Sequence, residues 1–163
     1  MHDQDTIAAA TALLDLCKAK KLMVATAESC TGGLVAGALT EISGSSAVVD
    51  RGFVTYTNEA KQEMLGVPLE TLERHGAVSR ETAEAMANGA LAHARADLTV
   101  AITGVAGPTG GTPQKPVGLV HFAAASRAGR LTHRERRYGD IGRAEVRRRS
   151  VLEALAMLRE LAE

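Results

Sequence analysis

Ser29 stands in the segment Glu28-Ser29-Cys30-Thr31-Gly32-Gly33, between a short apolar run and a helix-forming stretch. A serine hydroxyl becomes a nucleophile when a neighbouring base takes its proton. At a strand–helix junction it would also face unpaired N–H groups that stabilise developing negative charge. The simpler role is capping, since serine is a favoured N-cap that bonds its own backbone. Two glycines in a first helical turn each disfavour that helix by roughly 1 kcal/mol relative to alanine. They fit a place where a ligand or another backbone comes close. On these residues alone, both roles stay open.

The base is the next question. His2, His75, His93, His121 and His133 show no evident pairing with an acid, and a GxSxG elbow is absent, so a Ser-His-Asp site is not supported. A neutral lysine can serve instead. If Thr57 or Asn58 caps a helix, Lys61 falls in its first turn, where the positive end of the dipole disfavours an ammonium. The plain alternative is an exposed lysine on a short helix. Sequence does not fix its distance from Ser29.

The loop Thr103-Gly104-Val105-Ala106-Gly107-Pro108-Thr109-Gly110-Gly111 follows an apolar strand and could offer backbone N–H groups to an oxyanion or phosphate. It is not a Walker A loop, because Lys115 precedes Pro116, and GxGxxG is also missing. Without HExxH, paired CxxC or an Asp-rich calcium loop, neither a metal nor a cofactor is expected. Arg143 follows Gly139-Asp140-Ile141-Gly142 at a helix start, where it could clamp an anion. Arg147, Arg148 and Arg149 read as a solvated helix face.

From Arg127 to Arg149 nine arginines face only Glu135, Asp140 and Glu145, a local excess of six that hints at an anionic ligand or partner. The whole chain, however, has zero formal net charge. Its aromatics are Phe53, Phe122, Tyr56 and Tyr138, a poor supply for stacking bases. Nucleic acid is therefore not the expected partner. A non-catalytic module that binds a nucleotide or nucleic acid is the competing class.

These residues need elements to place them. Helical spacing runs from about Thr6 to Lys20, Leu22 to Ala27 reads as a buried strand, and Cys30 to Ile42 as a helix. A strand over Ala47–Tyr56, a helix from Thr57-Asn58 to Leu65, a helix from Ser79 to about Arg95 and a strand over Leu98–Thr103 follow. Strands at Val117–Ala125 and Leu131–Tyr138 and a helix over Ile141–Leu161 complete the chain. This alternation predicts an α/β fold, a three-layer α/β/α sandwich with a mixed, partly parallel sheet. The 163 residues fit one domain over 1–163. Two distant cysteines, no secretory leader and no apolar run of membrane-spanning length lead to the expectation of a reduced, cytoplasmic protein.

Taken in order, five motifs resemble the carboxy-terminal domain family of the competence-damage-inducible protein CinA, which also occurs as stand-alone, PncC-type enzymes. They are Ala27-Glu28-Ser29-Cys30-Thr31-Gly32-Gly33, Gly52-Phe53-Val54-Thr55-Tyr56-Thr57-Asn58-Glu59-Ala60-Lys61, Gly76-Ala77-Val78-Ser79, Thr103-Gly104-Val105-Ala106-Gly107-Pro108 and Lys115-Pro116-Val117-Gly118. The resemblance covers the chain from about Leu22 to the last helix. It implies deamidation of nicotinamide mononucleotide by a Ser–Lys pair, with Ser29 as nucleophile and Lys61 as base. It further implies substrate contacts at Tyr56, Asn58, Thr103, Gly104, Gly107 and Arg143. In such a mechanism the substrate's developing oxyanion would meet backbone N–H groups at Cys30, Thr31 and Gly32, or at Gly104. Arg137 and Arg147 do not carry over. A small nucleotide substrate and a homo-oligomer are the implied partners, with no membrane.

Overall fold

In the computed structural model, which describes residues 2–163, five strands form one sheet in the order β2-β1-β3-β4-β5. They are β1 (Val24–Glu28), β2 (Val49–Val54), β3 (Leu98–Gly104), β4 (Leu119–Ser126) and β5 (Leu131–Arg137). The first three run parallel, and β4 and β5 complete the sheet antiparallel, so the sheet is mixed as expected. Helices α1 (Gln4–Lys20), α2 (Leu34–Thr40) and α6 (Arg143–Ala162) cover one face. The other face carries α3 (Asn58–Leu65), α4 (Leu69–His75) and α5 (Arg80–His93).

The two faces differ because side chains alternate along a strand. Leu98, Val100, Ile102, Val120 and Phe122 pack against α1, α2 and α6, while Ala101, Ala123 and Ala125 face α5. Alanine on the second face lets α5 lie close, and α5 answers with Ala83, Ala87 and Ala90. Gly89 completes that approach: a Cβ there would come 2.0 Å from the Leu65 carbonyl oxygen at the end of α3.

Two elements depart from the sequence pattern. No element was expected between Gly66 and Ser79, yet α4 occupies Leu69–His75. Its single fully buried residue, Leu72, leaves no periodicity to read. The second helix begins at Leu34, not Cys30, because Gly32 and Gly33 adopt φ of 56° and 103°, outside the right-handed helical region. Residues 29–33 form turns instead, which sets the shape of the site. Among the described residues no helix is long and apolar enough to cross a membrane.

The arginine excess of the C-terminal third is largely matched within the fold. Arg134 pairs with Glu153 and Glu160, and Arg136 pairs with Glu153. Arg148 reaches Asp3, Asp5 and Glu145, and Arg149 reaches Glu145. Arg143 and Arg147 instead bond to neutral oxygens.

Candidate active site

The three parallel strands end level with one another. Glu28 registers with Val54 on β2 and with Ile102 on β3. The ladder runs one step further, with Thr55 N–H donating to Glu28 O at 2.8 Å and Ser29 N–H to Ile102 O at 2.9 Å. Ser29, Thr55 and Thr103 therefore meet at the carboxyl ends of the strands, where α/β sheets open their ligand crevices.

Thr57 caps α3, its hydroxyl accepting from the Ala60 N–H at 3.0 Å. The cap starts the helix just past β2 and turns Lys61 back under the strand ends. Lys61 is 1% exposed, and its Nζ lies 3.0 Å from Ser29 Oγ, 2.8 Å from Thr55 O and 3.4 Å from Tyr56 O. Among the described residues no carboxylate bonds it. Burial holds its pKa below the ordinary lysine value of 10.5. The direction is the one the sequence anticipated from the helix dipole; desolvation is the main cause. Both carbonyls take N–H donors, so the remaining position on Nζ faces the serine. A neutral amine presents its lone pair there.

Ser29 is not a helix cap. That task belongs to Glu28, a carboxylate with no solvent exposure at the end of β1. Its oxygens accept from Thr31 Oγ1 at 2.6 Å and from the N–H groups of Gly33, Val35 and Ala36 at 3.2, 2.9 and 3.0 Å. The positive end of α2 and these donors compensate the buried charge. Sequence reading passed over Glu28 as a functional residue; an acid directly before a serine and two glycines was the available signal. Arg147 was also passed over. From α6 it donates to Cys30 O at 3.1 Å and to Thr31 O at 3.4 Å.

A pocket of about 300 Å³ opens on the pair. Ser29, Cys30, Tyr56, Lys61, Thr103, Gly104, Gly107 and Arg143 all line it. Thr31, Gly32 and Asn58 do not. Thr31 is buried with its hydroxyl on Glu28, Gly32 lies beside Arg147, and Asn58 is exposed on α3. Thr103 donates its hydroxyl to Ala77 O at 2.7 Å, tying the wall at Ala77-Val78 to β3. Arg143 spans the mouth, donating to Gly107 O at 2.9 Å and to the Tyr56 hydroxyl at 3.0 Å. Among the described residues that guanidinium meets neutral acceptors and no carboxylate, which suits it to an anion. Burial pushes the Cys30 thiol up to about 12, so it is neutral at pH 7.

The family model for the CinA C-terminal domain matches residues 6–162. Nicotinamide-nucleotide amidohydrolase PncC of Escherichia coli strain K12 is 55% identical over 142 residues, 86% of this chain and 85% of that protein. A CinA-like protein of Synechococcus sp. strain RCC307 is 51% identical over 158 residues, 96% of this chain and 37% of that longer protein. The crystal structure of the competence/damage inducible protein CihA from Agrobacterium tumefaciens matches with a TM-score of 0.99 at 58% identity, covering 100% of this chain and 99% of that one. With sequence, fold and family model in agreement over nearly its whole length, the chain belongs to the CinA C-terminal domain family.

Proposed function

We propose that this chain is a nicotinamide-nucleotide amidohydrolase in pyridine-nucleotide salvage. It would convert nicotinamide mononucleotide and water to nicotinate mononucleotide and ammonia by a Ser–Lys mechanism. The observation that carries the reading is the 3.0 Å approach of a buried, carboxylate-free Lys61 to Ser29 in a lined pocket. The relatives named for this activity support the substrate.

Neutral Lys61 takes the hydroxyl proton as Ser29 Oγ attacks the carboxamide carbon. The carbonyl π electrons move to oxygen, giving a tetrahedral oxyanion. Its collapse breaks the C–N bond, and Lys61 returns the proton to the nitrogen, which leaves as ammonia. Water then attacks the resulting ester, giving one proton to Lys61, which passes it to Ser29 Oγ as collapse releases the carboxylic acid. The acid loses its remaining proton to solvent to become the carboxylate. The pocket volume is at the small end of ligand sites, roughly 300–1,000 Å³. Arg143 at its mouth would hold the substrate phosphate.

The test is a coupled ammonia-release assay with nicotinamide mononucleotide on the wild type, Ser29→Ala and Lys61→Ala. Turnover by the wild type and a loss of at least ~10³-fold in each variant is expected. Near-normal turnover in either variant removes that residue from the mechanism, and no ammonia from the wild type removes the function.

A further inference from the structure

The scheme above gives Arg147 no task, yet its guanidinium is committed to the nucleophile's own turn. Its bonds to the carbonyls of Cys30 and Thr31 feed two routes through the peptide units. In the first, the Cys30 carbonyl shares its peptide with the Thr31 N–H. In the second, the Thr31 carbonyl shares its peptide with the Gly32 N–H, which donates to Ser29 O at 3.0 Å. That oxygen in turn shares its peptide with the Cys30 N–H. Both routes end on an N–H group without a backbone acceptor among the described residues, the Cys30 N–H contacting only its own thiol.

Two physical effects follow. In a trans peptide the C=O and N–H point in opposite directions, so fixing the carbonyl aims the donor. A cation on a carbonyl also withdraws electron density and strengthens hydrogen bonds donated further along the chain of peptides. The turn is shaped around this contact: a Cβ on Gly32 would come 3.3 Å from Arg147 Nη2, at a φ of +56°. Arg147 also differs from Arg148 and Arg149 on the same helix, which pair with carboxylates.

We propose that Arg147 is a positioning residue for catalysis, aiming and polarising the Cys30 and Thr31 N–H groups as the oxyanion hole of Ser29. This rests on the reading of Ser29 as the nucleophile. Arg147 does not line the pocket, so it acts on the transition state through the turn and leaves substrate binding alone.

The experiment compares wild type, Arg147→Ala, Arg147→Gln and Arg147→Lys, with thermal unfolding confirming the fold of each. Arg147→Ala is expected to lower kcat about tenfold or more, short of the ~10²–10³ lost when a donor itself is removed, with KM changed less than about threefold. The 3-formylpyridine analogue of the mononucleotide, which forms a tetrahedral hemiacetal with a serine, should lose affinity by the same factor as kcat. Affinity for nicotinate mononucleotide should stay unchanged. Arg147→Lys should recover part of the rate, and Arg147→Gln should recover less because it restores donors without charge. Unchanged kcat overturns the proposal. So does a rise in KM with parallel losses for the aldehyde and the product, which would make Arg147 a binding or purely structural residue. If Arg147→Ala does not fold, the Lys–Gln difference alone decides, and equal rates overturn the proposal. Phosphonylation of Ser29 by a fluorophosphonate probe also develops charge on oxygen and needs no substrate. Slower labelling in Arg147→Ala supports the proposal even where the wild type releases no ammonia, a result that would count against the substrate reading alone.

Discussion

Lys61 Nζ and Ser29 Oγ lie 3.0 Å apart although 32 positions separate them in the chain. Parallel pairing of β1 with β2 brings the start of α3 to the end of β1, and the Thr57 cap sets the angle at which Lys61 returns. The amine is buried among carbonyls with no carboxylate to hold its proton, so the fold favours its neutral form.

The pH dependence follows from that burial. Below the folded-state pKa both folded and unfolded chains carry the Lys61 proton, and the cost of burying the ammonium is constant. Between the folded-state pKa and 10.5 only the unfolded chain carries it, so stability rises with pH across that window. The catalytic rate should climb with pH through the same lowered pKa, with the midpoint of the rise below 10.5. Lys61→Met should abolish the stability increment in urea titrations at successive pH values. A rise unchanged in Lys61→Met would assign it to another group.

Glu28 should be as sensitive to charge as to shape. Glu28→Ala leaves the Thr31 hydroxyl and the N–H groups of Gly33, Val35 and Ala36 without their acceptor. Unsatisfied buried donors cost about 1–3 kcal/mol each, partly relieved by water, so a loss of roughly 3 kcal/mol is expected. Glu28→Gln turns an amide NH2 toward those donors and should also lose stability. Urea midpoints measure both changes. A stability within about 0.5 kcal/mol of wild type for Glu28→Ala would refute the capping role.

Gly89→Ala separates local preference from packing. Helix propensity favours alanine by about 1 kcal/mol, but the added methyl would meet the Leu65 carbonyl. Overpacking against backbone should win, giving a net loss of about 2 kcal/mol. Because Leu65 ends the helix that carries Lys61, kcat should fall about tenfold or more, although Gly89 lies outside the pocket lining. Thermal melts and ammonia release test the two halves separately.

Both cysteines should be inert in the folded protein. Burial pushes Cys17 up to about 11 and Cys30 up to about 12, so neither presents a thiolate at neutral pH. Ellman's reagent should titrate them only on denaturation. Rapid native labelling of Cys30, which lines the pocket, would show that the turn opens in solution.

The sequence was most legible where a pattern is local. The alternation of apolar runs with helical spacings located every strand, and Ser79 and Thr57 announced helix starts that the structure contains. It was least legible where one residue serves a distant one. Gly32 and Gly33 read as members of a helical turn, yet their positive φ values delay α2 to Leu34. The nearby acid, Glu28, then supplies the cap from the preceding strand. Arg147 read as one of several solvated arginines because nothing in its local spacing points to Cys30, 117 positions earlier.

The sequence by itself determined the kinds of groups available: a serine before two glycines, a lysine in a first helical turn, a glycine-rich loop after an apolar strand. These follow from residue type and short-range spacing, which govern propensity and capping. Only the tertiary structure decided which of them meet. Parallel register levels three strand ends at one crevice, and burial there strips water from Lys61. The same packing pairs most of the C-terminal arginines with carboxylates and leaves Arg127, Arg143 and Arg147 on neutral oxygens. Distance and desolvation are properties of contacts between remote segments, so no local pattern could carry them.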